Sequence, residues 1–319
     1  MTIRVGLVGA GAVGARHART LAGFADVELT GVCDPEPAAR DALAAELGVP
    51  AVADVAELLR GSPDAVWLCV PPFAHGELET TVVRAGLPFF VEKPLAADLP
   101  TAERVARAVA AAGLPTATGY HWRHLDTVDR ARAALAGASV RLVDARWWGR
   151  TPPPAWWGRQ DRSGGQVVEQ ATHVLDLVRV LAGEVVEVTG GAAPSTAQGR
   201  DVPDATAALL RFASGAVGTA STSCVLPALT AAGLEVVADG VAVHLTETVL
   251  RVRTPEGELQ AEPVVDARRA VDRAFLDVLT GGPPVPGLVD VGEALHTHRL
   301  ACAVAEAART GSTVRVGAR

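Results

Sequence analysis

A cluster of three side chains and a separate lysine have the types and positions that suit proton transfer. Glu169, His173 and Asp176 follow one another at intervals of four and three residues, so on a helix they would share one face. An imidazole beside carboxylates can take up and return a proton near neutral pH. Lys93 precedes a proline and carries a cation that can stabilise an oxygen as it loses its proton. The cluster and the lysine together predict acid–base chemistry on a hydroxyl.

The segment that carries the histidine has a helical pattern. Between Gly164 and Gly183, valines and leucines recur three and four residues apart, and this predicts one amphipathic helix that ends at Gly183. Asp176 could also be structural, by capping the helix or by pairing with Arg179. The alternative for the whole polar stripe is a solvated face with a salt-bridged histidine.

A dinucleotide-binding pattern occupies the N-terminus. The strand-like run at residues 3–8 leads into GAGAVG at residues 9–14, and a helical stretch follows. This is G-x-G-x-x-G in the context that it requires, with glycines for the tight turn, for approach of a pyrophosphate and for close packing of helix on strand. The helix N-terminus would then present free N–H groups to the phosphates.

An acid at the end of the second predicted strand bears on the choice of cofactor. Asp34 lies 20 residues after Gly14, where a carboxylate accepts hydrogen bonds from the ribose hydroxyls of adenosine. It would repel a 2′-phosphate, so NAD is the predicted cofactor. Arg40 is close enough in sequence to bind that phosphate, which keeps NADP as the alternative.

Strands and helices alternate through the first 120 residues. Further strands are predicted at 27–33, 65–70, 88–91 and 116–118, and helices at 37–47, 73–85 and 99–112. Repeated β–α units predict a doubly wound parallel sheet of the Rossmann type, which binds ligands beyond the carboxyl ends of its strands. The residues expected to bind the cofactor are Gly9, Gly11, Ala12, Val13, Gly14, Asp34, Val70, Pro71, His75, Glu92 and Lys93. For His75, a polar residue that merely starts a helix is the alternative.

The pattern changes after residue 120. A helix is predicted at 126–135, a strand at 140–148, and mostly strands with turns from 185 to 253, followed by helices at 263–279 and 291–308. This indicates an α/β domain with a large, mostly antiparallel open sheet. The predicted domains are 1–120 for the dinucleotide and 121–319 for substrate binding and oligomerisation, and the last helix could return to the first domain.

Composition and charge exclude several classes of protein. The formal net charge is −7 and the arginines are scattered, so we expect no nucleic-acid partner. No apolar run approaches the roughly 20 residues that span a bilayer, and the N-terminus lacks a signal-peptide pattern. The four cysteines follow no metal-ligand spacing, and no metal is expected. We therefore expect a cytoplasmic protein without a membrane partner.

The combination of these motifs resembles one family. GAGAVGARHA at residues 9–18, the acid after the second strand, EKP at residues 92–94, and the glycine pair with Glu169, His173 and Asp176 resemble the glucose-fructose oxidoreductase, inositol dehydrogenase and rhizopine catabolism family, Gfo/Idh/MocA. The resemblance runs over nearly the whole chain. It implies a Rossmann domain followed by an α/β domain with an open sheet, and NAD(P)-dependent oxidation or reduction of sugars, inositols or related polyols.

The resemblance also implies roles for individual residues. The family lysine corresponds to Lys93 and the family histidine, usually the acid/base, to His173. Glu169 stands where the family has an aspartate, which puts its role as partner of His173 in doubt. Residues that could contact a sugar are Trp122, Arg123, Trp156, Trp157, Arg162 and Asp176. For the tryptophan pair, simple packing is the alternative. The resemblance, with apolar positions in 205–222, predicts a homodimer or homotetramer.

Three other functions are compatible with the same residues. Some relatives use bound NAD transiently for elimination or glycoside cleavage, and others reduce imines or further carbonyl compounds. A regulatory protein that senses NAD(H) would keep the cofactor site without catalysis. The presence of both Lys93 and His173 favours an enzyme over this last alternative.

Overall fold

The chain forms two compact units in the computed structural model, which describes residues 2–283 and 285–317. The first unit contains residues up to 96, then 100–120 and 268–295. The second contains 97–99, 121–267 and 296 onwards. Residues 268–295, which the sequence assigned to the second domain, thus belong with the first unit.

Strands and helices are as follows. The strands are β1 (Ile3–Val8), β2 (Val27–Cys33), β3 (Ala51–Val52), β4 (Ala65–Leu68), β5 (Phe89–Val91), β6 (Thr116–Thr118), β7 (Val140–Trp148), β8 (Val185–Ala193), β9 (Ala205–Phe212), β10 (Val217–Ser223), β11 (Ala231–Ala238), β12 (Val241–Thr246), β13 (Leu250–Thr254), β14 (Gly257–Ala261) and β15 (Val314–Arg315). The helices are α1 (Ala12–Ala22), α2 (Pro37–Leu47), α3 (Val55–Arg60), α4 (Glu77–Arg84), α5 (Leu99–Ala112), α6 (Asp126–Leu135), α7 (Gln160–Ser163), α8 (Gly165–Glu169), α9 (Thr172–Ala182), α10 (Ala267–Leu279) and α11 (Val291–Thr310).

The first unit is built on a six-stranded parallel sheet in the order β3-β2-β1-β4-β5-β6. Its central strands are apolar and buried, and all four residues of β4 are fully buried, as in sheets that are covered on both faces. The order reverses between β1 and β4, and doubly wound sheets bind dinucleotides beyond such a reversal. The predicted parallel sheet is confirmed.

The second unit contains a nine-stranded sheet in the order β14-β13-β12-β11-β7-β10-β9-β8-β15. Only the β7–β10 pair is parallel within the described residues, so the predicted mostly antiparallel sheet is also confirmed. Side chains of β9 and β10 alternate between buried and accessible positions, which is typical of a sheet with one covered face. Helices α6 and α9 contact the sheet and contribute to its apolar core.

The sequence prediction was wrong for the long helix at 164–183. The structure divides it into α8 and α9, which are separated at Gln170 and Ala171. Similarly, the helix predicted at 73–85 is a 3₁₀ turn, Pro72–Ala74, followed by α4. Apolar periodicity does not detect a break that leaves the buried positions in place.

No helix among the described residues combines the length and apolar character that a bilayer crossing requires.

Candidate active site

The glycine-rich turn after β1 needs glycine at two positions. Gly9 has φ +100°, and a Cβ there would lie 2.2 Å from the carbonyl oxygen of Cys69. A Cβ on Gly14 would lie 1.9 Å from the carbonyl oxygen of Gly9. A Cβ on Gly11 would meet nothing within 4 Å, and the residue is exposed at the N-cap of α1. The turn therefore presents an open backbone surface at a helix N-terminus that no side chain caps, which fits a pyrophosphate.

Asp34 holds the shape of this turn. Its Oδ2 accepts a 2.7 Å hydrogen bond from the backbone N–H of Ala10, and its Oδ1 accepts one of 2.8 Å from Glu36. A carboxylate has room for further donors, so these bonds leave capacity for ribose hydroxyls. Arg40 directs a guanidinium N–H towards the carbonyl oxygen of Asp34 at 3.4 Å and is paired with Asp41.

Several other predicted cofactor residues lie around the same strand ends. Ala12 and Val13 are exposed in the first turn of α1, and Val70 and Pro71 are partly accessible just after β4. These positions adjoin the β1–β4 reversal and fit the adenosine diphosphate and nicotinamide parts of a dinucleotide.

His75 and Glu92 make hydrogen bonds or ion pairs with other protein groups. The side chain of His75 is fully buried, and its Nδ1 lies 2.6 Å from Oε1 of Glu79. The Oε1 of Glu92 lies 2.8 Å from Nε2 of His17, and its Oε2 accepts a 3.1 Å hydrogen bond from the backbone N–H of Lys93. These bonds hold the two turns in shape, and Nε2 of His75 has no hydrogen-bond partner among the described residues.

In the second unit, Glu169 is anchored by an indole. The Nε1–H of Trp157 donates a 2.8 Å hydrogen bond to Oε2 of Glu169. Trp157 is fully buried and packs with Val202 and Cys224. Because Glu169 ends α8 and His173 lies in the first turn of α9, the two residues do not share one face of a continuous helix, as the sequence pattern predicted.

Aromatic rings surround His173. The ring centroids of Trp122 and Trp147 lie 5.8 Å and 6.3 Å from that of the imidazole, at interplanar angles of 14° and 24°. The ring of His121 meets it edge-on at 4.9 Å. These contacts restrict rotation of the imidazole and favour one orientation. Trp122 is buried and stacks on His173, and it also lines a cavity of the second unit together with Arg146 and Glu247.

Asp176 belongs to a buried polar cluster. Its two carboxylate oxygens each accept a 2.6 Å hydrogen bond from Arg123, in a bidentate pair. The hydroxyl of Thr297 donates to the same carboxylate at 2.8 Å and accepts from Arg179 at 2.8 Å. Thr297 thus bridges Asp176 and Arg179, and Arg179 forms an ion pair with Glu184 at 2.8 Å. The bidentate pair favours a structural role for Arg123 and Asp176.

Four further residues of the second unit bear on the candidate site, two that the sequence predicted and two that it did not. Trp156 is partly buried, and Arg162 is exposed on α7. No sequence pattern singled out Trp147 or Glu247, although Oε1 of Glu247 lies 3.3 Å from Nε2 of His121. Trp147 lies in β7 and Glu247 directly follows β12, and the neighbours of both are known only once the sheet is assembled.

Comparison with known proteins decides the family. A profile described as oxidoreductase family, NAD-binding Rossmann fold, matches residues 3–120, and the profile of the Gfo/Idh/MocA C-terminal domain matches residues 136–244. A myo-inositol dehydrogenase of Streptomyces leeuwenhoekii is 31% identical over 322 aligned residues, which cover 97% of this chain and 98% of that protein. The chain belongs to the Gfo/Idh/MocA family.

Solved structures of Gfo/Idh/MocA dehydrogenases have the same fold. The WlbA dehydrogenase of Bordetella pertussis, in complex with NADH and UDP-GlcNAcA, superposes with a TM-score of 0.87 at 23% identity, with 100% of both chains covered. A levoglucosan dehydrogenase in complex with NADH and levoglucosan gives 0.88 at 19% identity, also with 100% of both chains covered.

Membership of the Gfo/Idh/MocA family confirms the expected class of function. The first unit is an NAD-binding Rossmann domain, and the protein belongs to an oxidoreductase family.

Proposed function

We propose that this protein transfers a hydride between NAD and a secondary alcohol carbon of an inositol or sugar ring. The similarity to a myo-inositol dehydrogenase over nearly the full length of both chains carries this proposal. The open glycine turn and Asp34 supply the binding surface that NAD requires. When bound, NAD provides the hydride acceptor, and the chain provides orientation and proton transfer.

In this mechanism His173 takes the proton of the reacting hydroxyl. An alcohol gives up its hydride readily only as its oxygen loses the proton, so a base must be positioned at that oxygen. The two indoles and His121 fix the plane of the imidazole, and a fixed base avoids the cost of orientation during the reaction.

Lys93 stabilises the negative charge that develops on the same oxygen. It follows β5, at the carboxyl edge of the parallel sheet, where this type of fold presents functional groups. A cation at the developing alkoxide lowers the barrier because it acts mainly on the transition state. Glu169, held by Trp157, is the carboxylate that we assign to orienting His173.

We also propose that the protein works as a homo-oligomer that associates through the outer face of the nine-stranded sheet. Leu142, Val217 and Val237 occupy aligned positions on three adjacent strands and are 45%, 54% and 39% exposed. Leu209, on the next strand, is 63% exposed. An apolar patch formed by these four exposed side chains favours burial against another surface.

A substrate panel tests the proposed reaction. Purified protein is incubated with NAD and a set of inositols and sugars, and the absorbance of NADH is followed. Formation of NADH with a cyclitol or sugar is the expected result. Conversion of a sugar without net NADH would instead establish transient use of NAD for elimination or glycoside cleavage. NAD binding without turnover of any panel member would contradict the proposed substrate class.

A further inference from the structure

A buried histidine outside the proposed reaction joins two carboxylates in the first unit. The side chain of His17, on α1, is 1% exposed. Its Nε2 lies 2.8 Å from Oε1 of Glu92, and its Nδ1 lies 2.7 Å and 3.0 Å from the two oxygens of Asp272. The indole N–H of Trp67 also donates to Asp272, at 2.9 Å. The cluster thus connects α1, the end of β5, β4 and α10.

The geometry favours a doubly protonated His17. A neutral imidazole donates from only one nitrogen and would turn a lone pair towards the second carboxylate. Burial lowers the pKa of His17, but the charges and hydrogen bonds of Asp272 and Glu92 outweigh burial and raise this pKa to about 9. Burial likewise raises the pKa of Glu92, and the bond from His17 reverses this and lowers it to about 2. His17 is therefore an imidazolium between two carboxylates near neutral pH.

The carboxylate of Glu92 is held by contacts on several sides. Its Oε2 accepts the backbone N–H of Lys93 at 3.1 Å, and Arg16 approaches Oε1 at 3.5 Å. A Cβ on Gly119 would come within 2.5–2.7 Å of the carboxylate, so the Glu92 side chain lies directly against that backbone. The main chain of Lys93 is thus tied to a carboxylate that His17 holds in place.

We propose that His17 is a positioning residue for Lys93, acting through Glu92. His17 lies in the helix whose first turn forms the phosphate site, so the cluster links the seating of the cofactor phosphates to the turn that carries the lysine. Without the imidazolium, Glu92 would be a buried carboxylate that has lost its main counter-charge, and the turn would have to shift to hydrate it. The inference rests on the proposed function, because it assumes that Lys93 acts in the reaction.

A double-mutant cycle tests this role. His17→Gln, Lys93→Ala and the double variant are compared for kcat and for the dissociation constant of NAD. If His17 acts through Lys93, H17Q should lower kcat by about 10–100-fold, the loss expected from misplacing a reacting group by an ångström or so. In the K93A background, the same substitution should cost less than about threefold, because the group that it positions is gone.

A matched control separates positioning from stability. Trp67→Phe removes the other hydrogen bond to Asp272 and leaves the His17–Glu92 contact in place, so it should lower the melting temperature without lowering kcat. Equal losses of kcat for H17Q in the wild-type and K93A backgrounds would overturn the proposal. So would a kcat for folded H17Q within about twofold of wild type.

A second variant covers the case in which H17Q does not fold. Glu92→Gln keeps the volume of the side chain but removes the charge that His17 neutralises, and it should also lower kcat more in the wild type than in K93A. A larger loss of kcat in the wild-type background than in K93A supports the positioning role, and equal losses contradict it. A normal kcat for K93A alone would instead refute the assigned role of the lysine, so the two failures are distinguishable.

Discussion

Trp157 and Glu169, twelve residues apart, are joined by a hydrogen bond of 2.8 Å between the indole Nε1–H and Oε2. The indole is fully buried, so the bond fixes the carboxylate against a rigid element of the second unit. It provides a physical reason why glutamate is accommodated where the family has aspartate: the longer side chain has a partner at its end. The bond leads directly to the first prediction.

Trp157→Phe should lower the free energy of unfolding by about 1–3 kcal/mol, because the partly buried carboxylate loses its donor while most of the packing stays. Denaturant titration measures the change. Trp156→Phe is the matched control, since Trp156 packs against the same cluster and is only partly buried. Equal effects of the two substitutions would show that the hydrogen bond adds nothing beyond packing.

His173→Ala should lower kcat by about 10²–10⁴-fold, the usual span for a positioned general base. The dissociation constant of NAD should change little, because the imidazole is assigned to the substrate. The pH profile of oxidation should lose its histidine-like rising limb in the variant, and Glu169→Gln should shift that limb to lower pH. A variant that is less stable but keeps kcat and the pH limb would remove His173 from the mechanism.

NAD should bind more tightly than NADP, because Asp34 carries a negative charge where NADP places its 2′-phosphate. Asp34→Ala should weaken NAD by about 1–3 kcal/mol, through loss of charged hydrogen bonds and of the brace on Ala10. Calorimetric titration with both nucleotides measures this. Arg40→Ala is the control and should leave NAD affinity unchanged. Equal or tighter binding of NADP by the wild type would contradict the prediction.

The stability contributed by the His17 cluster should depend on pH. The pKa of His17 is raised from 6.5 to about 9, so its contribution is complete below pH 6.5 and is lost as the pH rises through about 9. The pKa of Glu92 is lowered from 4.5 to about 2, so its contribution is complete above pH 4.5 and is lost as the pH falls through about 2.

Wild-type protein should therefore exceed His17→Gln in unfolding free energy most clearly between pH 4.5 and 6.5, and the difference should shrink towards pH 9. Denaturation at a series of pH values measures both proteins. A difference in unfolding free energy that stays constant from pH 6.5 to pH 9 would mean that His17 is not charged in the folded state.

Val217→Lys should weaken self-association, because it places a charge on the exposed apolar patch, directly beside Leu142. Light scattering at micromolar concentration measures the molar mass. Val264→Lys, at a valine that is 82% exposed outside the sheet, is the control and should leave the assembly unchanged. A monomeric wild type would rule out the proposed oligomer.

Local spacing in the sequence determined much of the first unit. The pattern of Gly9, Gly11 and Gly14 after an apolar strand predicts the turn, because Gly9 needs a positive φ, Gly11 leaves the backbone open and Gly14 packs against the carbonyl oxygen of Gly9. The alternation of strands and helices likewise predicts the parallel sheet, and several elements begin and end where they were expected, including α5 and β7. Asp34 lies where its spacing placed it, against the glycine turn.

The contacts that give the site its shape were decided by tertiary structure. His17 meets Glu92 and Asp272 across 75 and 255 residues, and no periodicity specifies such pairs. The helical pattern around His173 predicted a single face, yet the chain breaks before α9 and Glu169 turns to Trp157. The physical reason is that hydrophobic periodicity reports only which positions are buried. The partner that a buried polar group finds depends on which elements pack together, and on the high cost of leaving such a group without one.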